Sequence, residues 1–129
     1  MPQQRILVVD DEPDAATYLR AVLEDEGYEV GCAYDGELAL AALRREPFDL
    51  VLLDVQMPGP TGVHLHRKIQ GDERLRHIPV ILVTGVSGFS VFDEECRAVS
   101  APAVVEKPID PQVLLAAVRD ALSREKIPG

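Results

Sequence analysis

Apolar residues along this chain fall into short unbroken runs separated by longer stretches with helical spacing. Residues 6–9 (ILVV), 50–53 (LVLL), 80–83 (VILV) and 103–105 (AVV) are rich in Val, Ile or Leu and too short for helices. Such runs read as strands buried on both faces, as in a parallel sheet. A fifth stretch, YEVGCAY at 28–34, mixes polar and apolar positions and suits an edge strand.

Between the runs the period changes. Ala15, Leu19, Val22 and Leu23 follow i, i+4, i+7, i+8, the spacing of one buried helical face. Pro13 suits the first turn of that helix, and Gly27 suits a left-handed C-terminal cap. Asp35 caps a second helix reaching Glu46, ahead of Pro47. Thr61 caps a third that carries Leu65 and Ile69 and fades at Gly71. Asp110 and Pro111 open a last helix through Leu114, Ala117, Val118 and Ala121. In residues 85–100 the stretch GVSGFS breaks any helix before Val91, so the helix expected there is short. Strands alternating with helices imply right-handed βαβ crossovers, hence an α/β fold with helices on both faces of a parallel sheet.

Composition narrows the class. A chain of 129 residues with 47% hydrophobic content is one domain's worth, residues 1–129. Thirteen Lys and Arg against 22 Asp and Glu leave a net charge of -9, which disfavours nucleic acid or an anionic membrane surface as a direct partner. No apolar run approaches membrane-spanning length and the first residues lack a secretory h-region, so a cytoplasmic protein is expected. Cys32 and Cys96 carry no assigned role.

In a parallel sheet every strand ends at one edge, where ligands bind. The runs end at Asp10 and Asp11, at Asp54, at Thr84, and at Glu106 and Lys107. The carboxylates of Asp10, Asp11 and Asp54, the Thr84 hydroxyl and the Lys107 ammonium should therefore meet. Carboxylates about 4 Å apart repel by roughly 4 kcal/mol at an effective dielectric near 20, so the cluster must take up protons or a cation. Oxygen-only ligands favour a hard ion such as Mg²⁺. A metal beside a lysine and a hydroxyl points to phosphoryl transfer, with Asp54 as candidate nucleophile.

These residues resemble a known family. VVDDEP at the first strand end, LVLLDVQMPGPTG at 50–62, VILVTG ending at Thr84 and Gly85, and VVEKPID around Lys107 and Pro108 stand in the order found in receiver domains of two-component response regulators. That family includes the single-domain chemotaxis receiver. The resemblance implies a flavodoxin-like doubly wound sheet of five parallel strands in the order 2-1-3-4-5, with five helices. It implies that Asp54 accepts a phosphoryl group from a histidine kinase or phosphotransfer protein. Mg²⁺ would be held by Asp11, by Asp10 through water, by Asp54 and by the backbone carbonyl of Gln56. Lys107 would neutralise phosphoryl oxygens, Thr84 would hydrogen-bond one of them, Gly85 would leave room, and the bond between Lys107 and Pro108 would be cis. The chain would be a phosphorylation-controlled switch rather than an enzyme. Its output would pass through the face made by the helix before the fifth strand, that strand and the last helix, to an effector protein or fused output domain. A monomer or weak dimer is expected.

Two departures from the family pattern matter. Val104 replaces the usual Tyr or Phe three residues before the lysine, and SAPA at 100–103 replaces a GA turn. Phe89 or Phe92 is therefore expected to take over part of the switching surface. Gln56 and Val86 occupy positions that tune dephosphorylation in the family. Taken singly, Asp10, Asp11, Asp54, Thr84 and Lys107 have ordinary readings as surface, turn or strand-end residues. His64 and His66, two apart on a helix, read as solvated, and His77 as a loop residue before the fourth strand. A phosphorylation-independent docking receiver is the first alternative. A haloacid-dehalogenase-type phosphatase is another, although Gln56 stands where that family has a second Asp. A flavin or nucleotide binder would need a G-x-G-x-x-G or P-loop motif, which the chain lacks.

Overall fold

The computed structural model describes residues 4–54, 62–84, 103–106 and 109–126. The elements run β1 (Arg5–Val9), α1 (Pro13–Asp25), β2 (Glu29–Ala33), α2 (Gly36–Arg45), β3 (Leu50–Asp54), α3 (Gly62–Gln70), β4 (Val80–Thr84), β5 (Ala103–Glu106) and a C-terminal helix (Pro111–Lys126). The strands form one parallel sheet in the order β2-β1-β3-β4-β5. The short helix expected within residues 85–100, and the cap expected at Thr61, lie outside the described residues.

Continuous apolar runs are explained by the two cores they serve. Leu7 and Val9 of β1, Val51 and Leu53 of β3, and Leu82 of β4 pack on α2 and α3. Ile6, Val8, Leu50, Leu52 and Ile81 point the other way, onto α1 and the C-terminal helix. Successive side chains of a strand face opposite sides, so a strand covered on both needs apolar residues at every position. All five residues of β3 are buried, whereas edge strand β2 buries only Val30 and Ala33 and leaves Glu29 exposed.

Helix ends follow their local chemistry. The Asp35 carboxylate accepts the Leu38 N–H at 2.7 Å, and Asp110 accepts that of Gln112 at 2.9 Å. Gly27 follows α1 at a φ of 93°, the left-handed region where a Cβ is penalised.

Two sequence expectations are corrected. The buried face of α1 is Ala16, Leu19 and Leu23, while Ala15 is only half-buried. Ala16 lies within about 60° of both Leu19 and Leu23 around the helix, whereas Ala15 stands about 80° from Leu23 and falls on the flank of the stripe. His66 is not solvated: it is 3% exposed, beside buried Leu65 and Ile69. These three residues span about 100° of helix, so the inward stripe of α3 takes in the histidine. Burial lowers its pKa from the ordinary 6.5. The side chain of His64 is outside the described residues, and His77 is exposed before β4 as expected.

Arg5 ties together the edge of the sheet where the strands begin. Its N–H donates to the Asp49 carboxylate at 2.7 Å, and its carbonyl accepts the Asp49 N–H at 2.7 Å. Its guanidinium donates to Glu46 at 2.8 Å and lies 5.1 Å from the centre of the Phe48 ring. This clamp carried no periodic signal in the sequence, because its members come from different elements.

Candidate functional site

At the other edge, where the strands end, β1 and β3 are neighbours. Val9 pairs with Leu53, so the next residue of each chain segment, Asp10 and Asp54, emerges at the same level. The chain leaves β1 for β2 on one side and later returns to β3 on the other. That reversal opens a crevice at the carboxyl ends of the strands.

Asp10 is held from two directions. Its backbone N–H donates to the carbonyl of Ala33 at 3.1 Å, extending the β1–β2 ladder by one residue. Its Oδ1 accepts the Glu12 N–H at 2.9 Å, an Asx-type turn that leads into α1. Glu12 has extended backbone at the helix N-cap, makes no side-chain cap bond, and passes its carbonyl to the Ala16 N–H at 3.0 Å. The backbone amide of Glu12 and the carbonyl of Ala33 are functional groups that residue typing alone did not reveal. Only strand order and the turn geometry bring them to Asp10.

Asp10 is fully buried, Asp54 is 4% exposed and Asp11 is half-buried. Each offers a carboxylate oxygen, and the three atoms lie within 4.8 Å of one another. Carboxylates this close repel by several kcal/mol in a partly buried setting, and a divalent cation relieves that repulsion. The donor set is all oxygen, with neither His nor Cys, and fits a hard divalent ion.

Other expected site residues are placed in part. Thr84 ends β4 and is paired in register with Glu106, the last residue of β5, so the backbone before Lys107 reaches the same edge. Val104 lies in β5 opposite Leu82. Gln56, Gly85, Val86, Phe89, Phe92, Cys96, Lys107 and Pro108 lie outside the described residues. Cys32 sits in β2, half-buried, and burial pushes its thiol pKa up, away from the reactive thiolate.

Known proteins resemble this chain in sequence and fold. The family model for the response regulator receiver domain matches residues 6–119. Response regulator PleD of Caulobacter vibrioides is 43% identical over 123 residues, which are 95% of this chain and 27% of PleD. The chain thus spans about a quarter of that relative's length. Chemotaxis protein CheY of Pseudomonas aeruginosa is 37% identical over 111 residues, 85% of this chain and 89% of CheY. Among solved structures, a CheY-like receiver domain protein from Methanospirillum hungatei superposes with a TM-score of 0.89 at 30% identity, covering 97% of this chain and 98% of that one.

Proposed function

Because the chain belongs to the response regulator receiver domain family of two-component signalling, we propose that Asp54 is its phosphoryl acceptor and that the acid cluster holds Mg²⁺. The observation that carries this reading is the meeting of Asp10, Asp11 and Asp54 within 4.8 Å at the ends of two adjacent strands.

Asp10, Asp11, Asp54 and the backbone carbonyl of Gln56 are the proposed metal ligands, with Asp10 acting through water. Bound Mg²⁺ would neutralise the carboxylates and the charge on the phosphoryl oxygens. A carboxylate oxygen of Asp54 attacks the phosphorus of a phosphohistidine on a kinase or phosphotransfer protein. The new P–O bond forms as the P–N bond breaks, and the leaving imidazole takes up a proton. Burial keeps Asp54 poorly hydrated and ready for attack, while the hydrogen bonds to Asp10 fix the floor of the site. Lys107 pairs with phosphoryl oxygens, Thr84 hydrogen-bonds one of them, and Gly85 leaves them space.

The product is a switch state and not a released product, in keeping with a family of signalling switches. Its output reaches an effector or fused domain through the face that includes β5 and the C-terminal helix. The single receiver unit 1–129 and a cytoplasmic location belong to the same reading. Among the described residues, no helix is long and apolar enough to cross a membrane. The dehalogenase-type phosphatase is set aside, since the receiver family model matches nearly the whole chain.

Intact mass after incubation with Mg²⁺ and acetyl phosphate tests the proposal. The parent should gain one phosphoryl group, dependent on metal, and Asp54→Asn should gain none. An equal gain in Asp54→Asn, or a gain indifferent to chelator, would overturn it.

A further inference from the structure

A groove lies on the sheet edge remote from the acid cluster, where the end of α2 meets the turn between α3 and β4. Its volume is about 370 Å³. Buried Leu43, Phe48, Leu75 and Ile78 form the floor. Exposed Arg44, Arg45 and Arg74 line its rim, with Glu46 the one lining carboxylate. Arg44 reaches Asp72 at 3.7 Å and Arg45 reaches Glu46 at 3.7 Å, both near the outer limit of ion pairing, so their guanidinium groups retain donors for a further anion. A basic groove is unexpected on a chain of net charge -9.

The other end of the same helix carries the complementary chemistry. Tyr34, just before the Asp35 N-cap, and Leu38, in the first turn of α2, are 45% and 53% exposed. Exposed Asp35 and Glu37 lie between them in sequence. The result is an apolar pair set among carboxylates, opposite in sign to a groove with an apolar floor and a cationic rim. A helix of 10 residues is roughly 15 Å long, so the rigid rod of α2 holds knob and groove apart within one molecule. Only another molecule can bring them together.

We infer that this chain self-associates head to tail, with the turn at residues 34–38 of one copy seated in the groove at the end of α2 of the next. Copies of like net charge repel at most approaches, and this pairing is one where opposite signs face each other. The contact is heterologous, so it propagates instead of closing on a two-fold axis. It is small and polar at its rim, which places it among weak associations that salt disrupts. Tyr34 adjoins Ala33, whose carbonyl holds Asp10, so an occupied knob abuts the acid cluster's support.

Sedimentation velocity of the chain at concentrations up to about 1 mM, the weak end of specific association, is the test. The mean mass should rise with concentration and fall as salt is added. A groove variant, Arg44→Glu with Arg45→Glu, and a knob variant, Glu37→Lys with Leu38→Asp, should each stay monomeric while keeping the parent's circular dichroism. Arg74→Glu serves as a second groove variant should the first lose its fold. Mixing groove and knob variants leaves one intact contact, and should yield a heterodimer that grows no further. A parent monomeric throughout, folded variants that associate like the parent, or a mixture without heterodimer would each overturn the inference.

Discussion

Asp10 stands level with Asp54 because Val9 and Leu53 are partners in the β1–β3 ladder, and both carboxylates turn away from water at the strand ends. With Asp11 they form a concentrated negative charge whose energy depends on what else occupies the crevice.

Ligand binding to the folded chain alone raises its stability by mass action. Mg²⁺ at about 100 times its Kd should stabilise the parent by about 2.7 kcal/mol. Asp11→Asn removes one carboxylate and should lose most of that gain at the same metal concentration. Urea unfolding followed by circular dichroism, with and without Mg²⁺, measures both.

Substitutions at Asp10 should separate charge from turn geometry. Asp10→Asn keeps an oxygen able to accept the Glu12 N–H, so it should fold like the parent while binding Mg²⁺ about 10-fold or more weakly. Asp10→Ala also loses that hydrogen bond and should be less stable than Asp10→Asn by about 1 kcal/mol. Isothermal titration calorimetry and urea midpoints on the pair check the two effects.

Two glycines should respond with opposite signs. Gly27→Ala places a Cβ at φ 93° and should cost about 1–2 kcal/mol. Gly36, the first residue of α2, has open space where a Cβ would go. Gly36→Ala should stabilise by about 0.4–1 kcal/mol by restricting the unfolded chain. Thermal or urea unfolding of the two variants decides.

His66 should make stability depend on pH. Burial depresses its folded pKa below the ordinary 6.5, so between the two values the unfolded chain binds more protons. The contribution is fully present above pH 6.5 and is lost as the pH falls below it. His66→Leu should flatten the change in urea midpoint just below pH 6.5, and an unaltered pH profile would count against a buried neutral imidazole.

Much of this molecule is written in local order. The apolar runs ending at Val9, Leu53 and Val83 mark strands because a strand covered on both faces has no polar position to spare. Asp35, Asp110 and Gly27 act within a few residues of themselves, so the helix ends they set were readable without a fold. The acid residues of the site were legible for the same reason: each follows a strand whose end was already visible.

Distances across the chain were another matter. A run that is apolar at every position has no polar face to set its register, so the sequence brought the strand ends to one edge but left the pairing of Val9 with Leu53, which sets Asp10 level with Asp54, to the tertiary structure. Ala33 became the partner of Asp10 only once β2 lay beside β1. The burial of His66, the choice of Ala16 over Ala15, and the Arg5 clamp on Glu46, Phe48 and Asp49 likewise depend on which elements pack together. Residue type and spacing determined which groups could do chemistry here, because those preferences act along a few bonds. Packing between distant segments decided which of them meet, because burial and strand pairing join residues the chain keeps far apart.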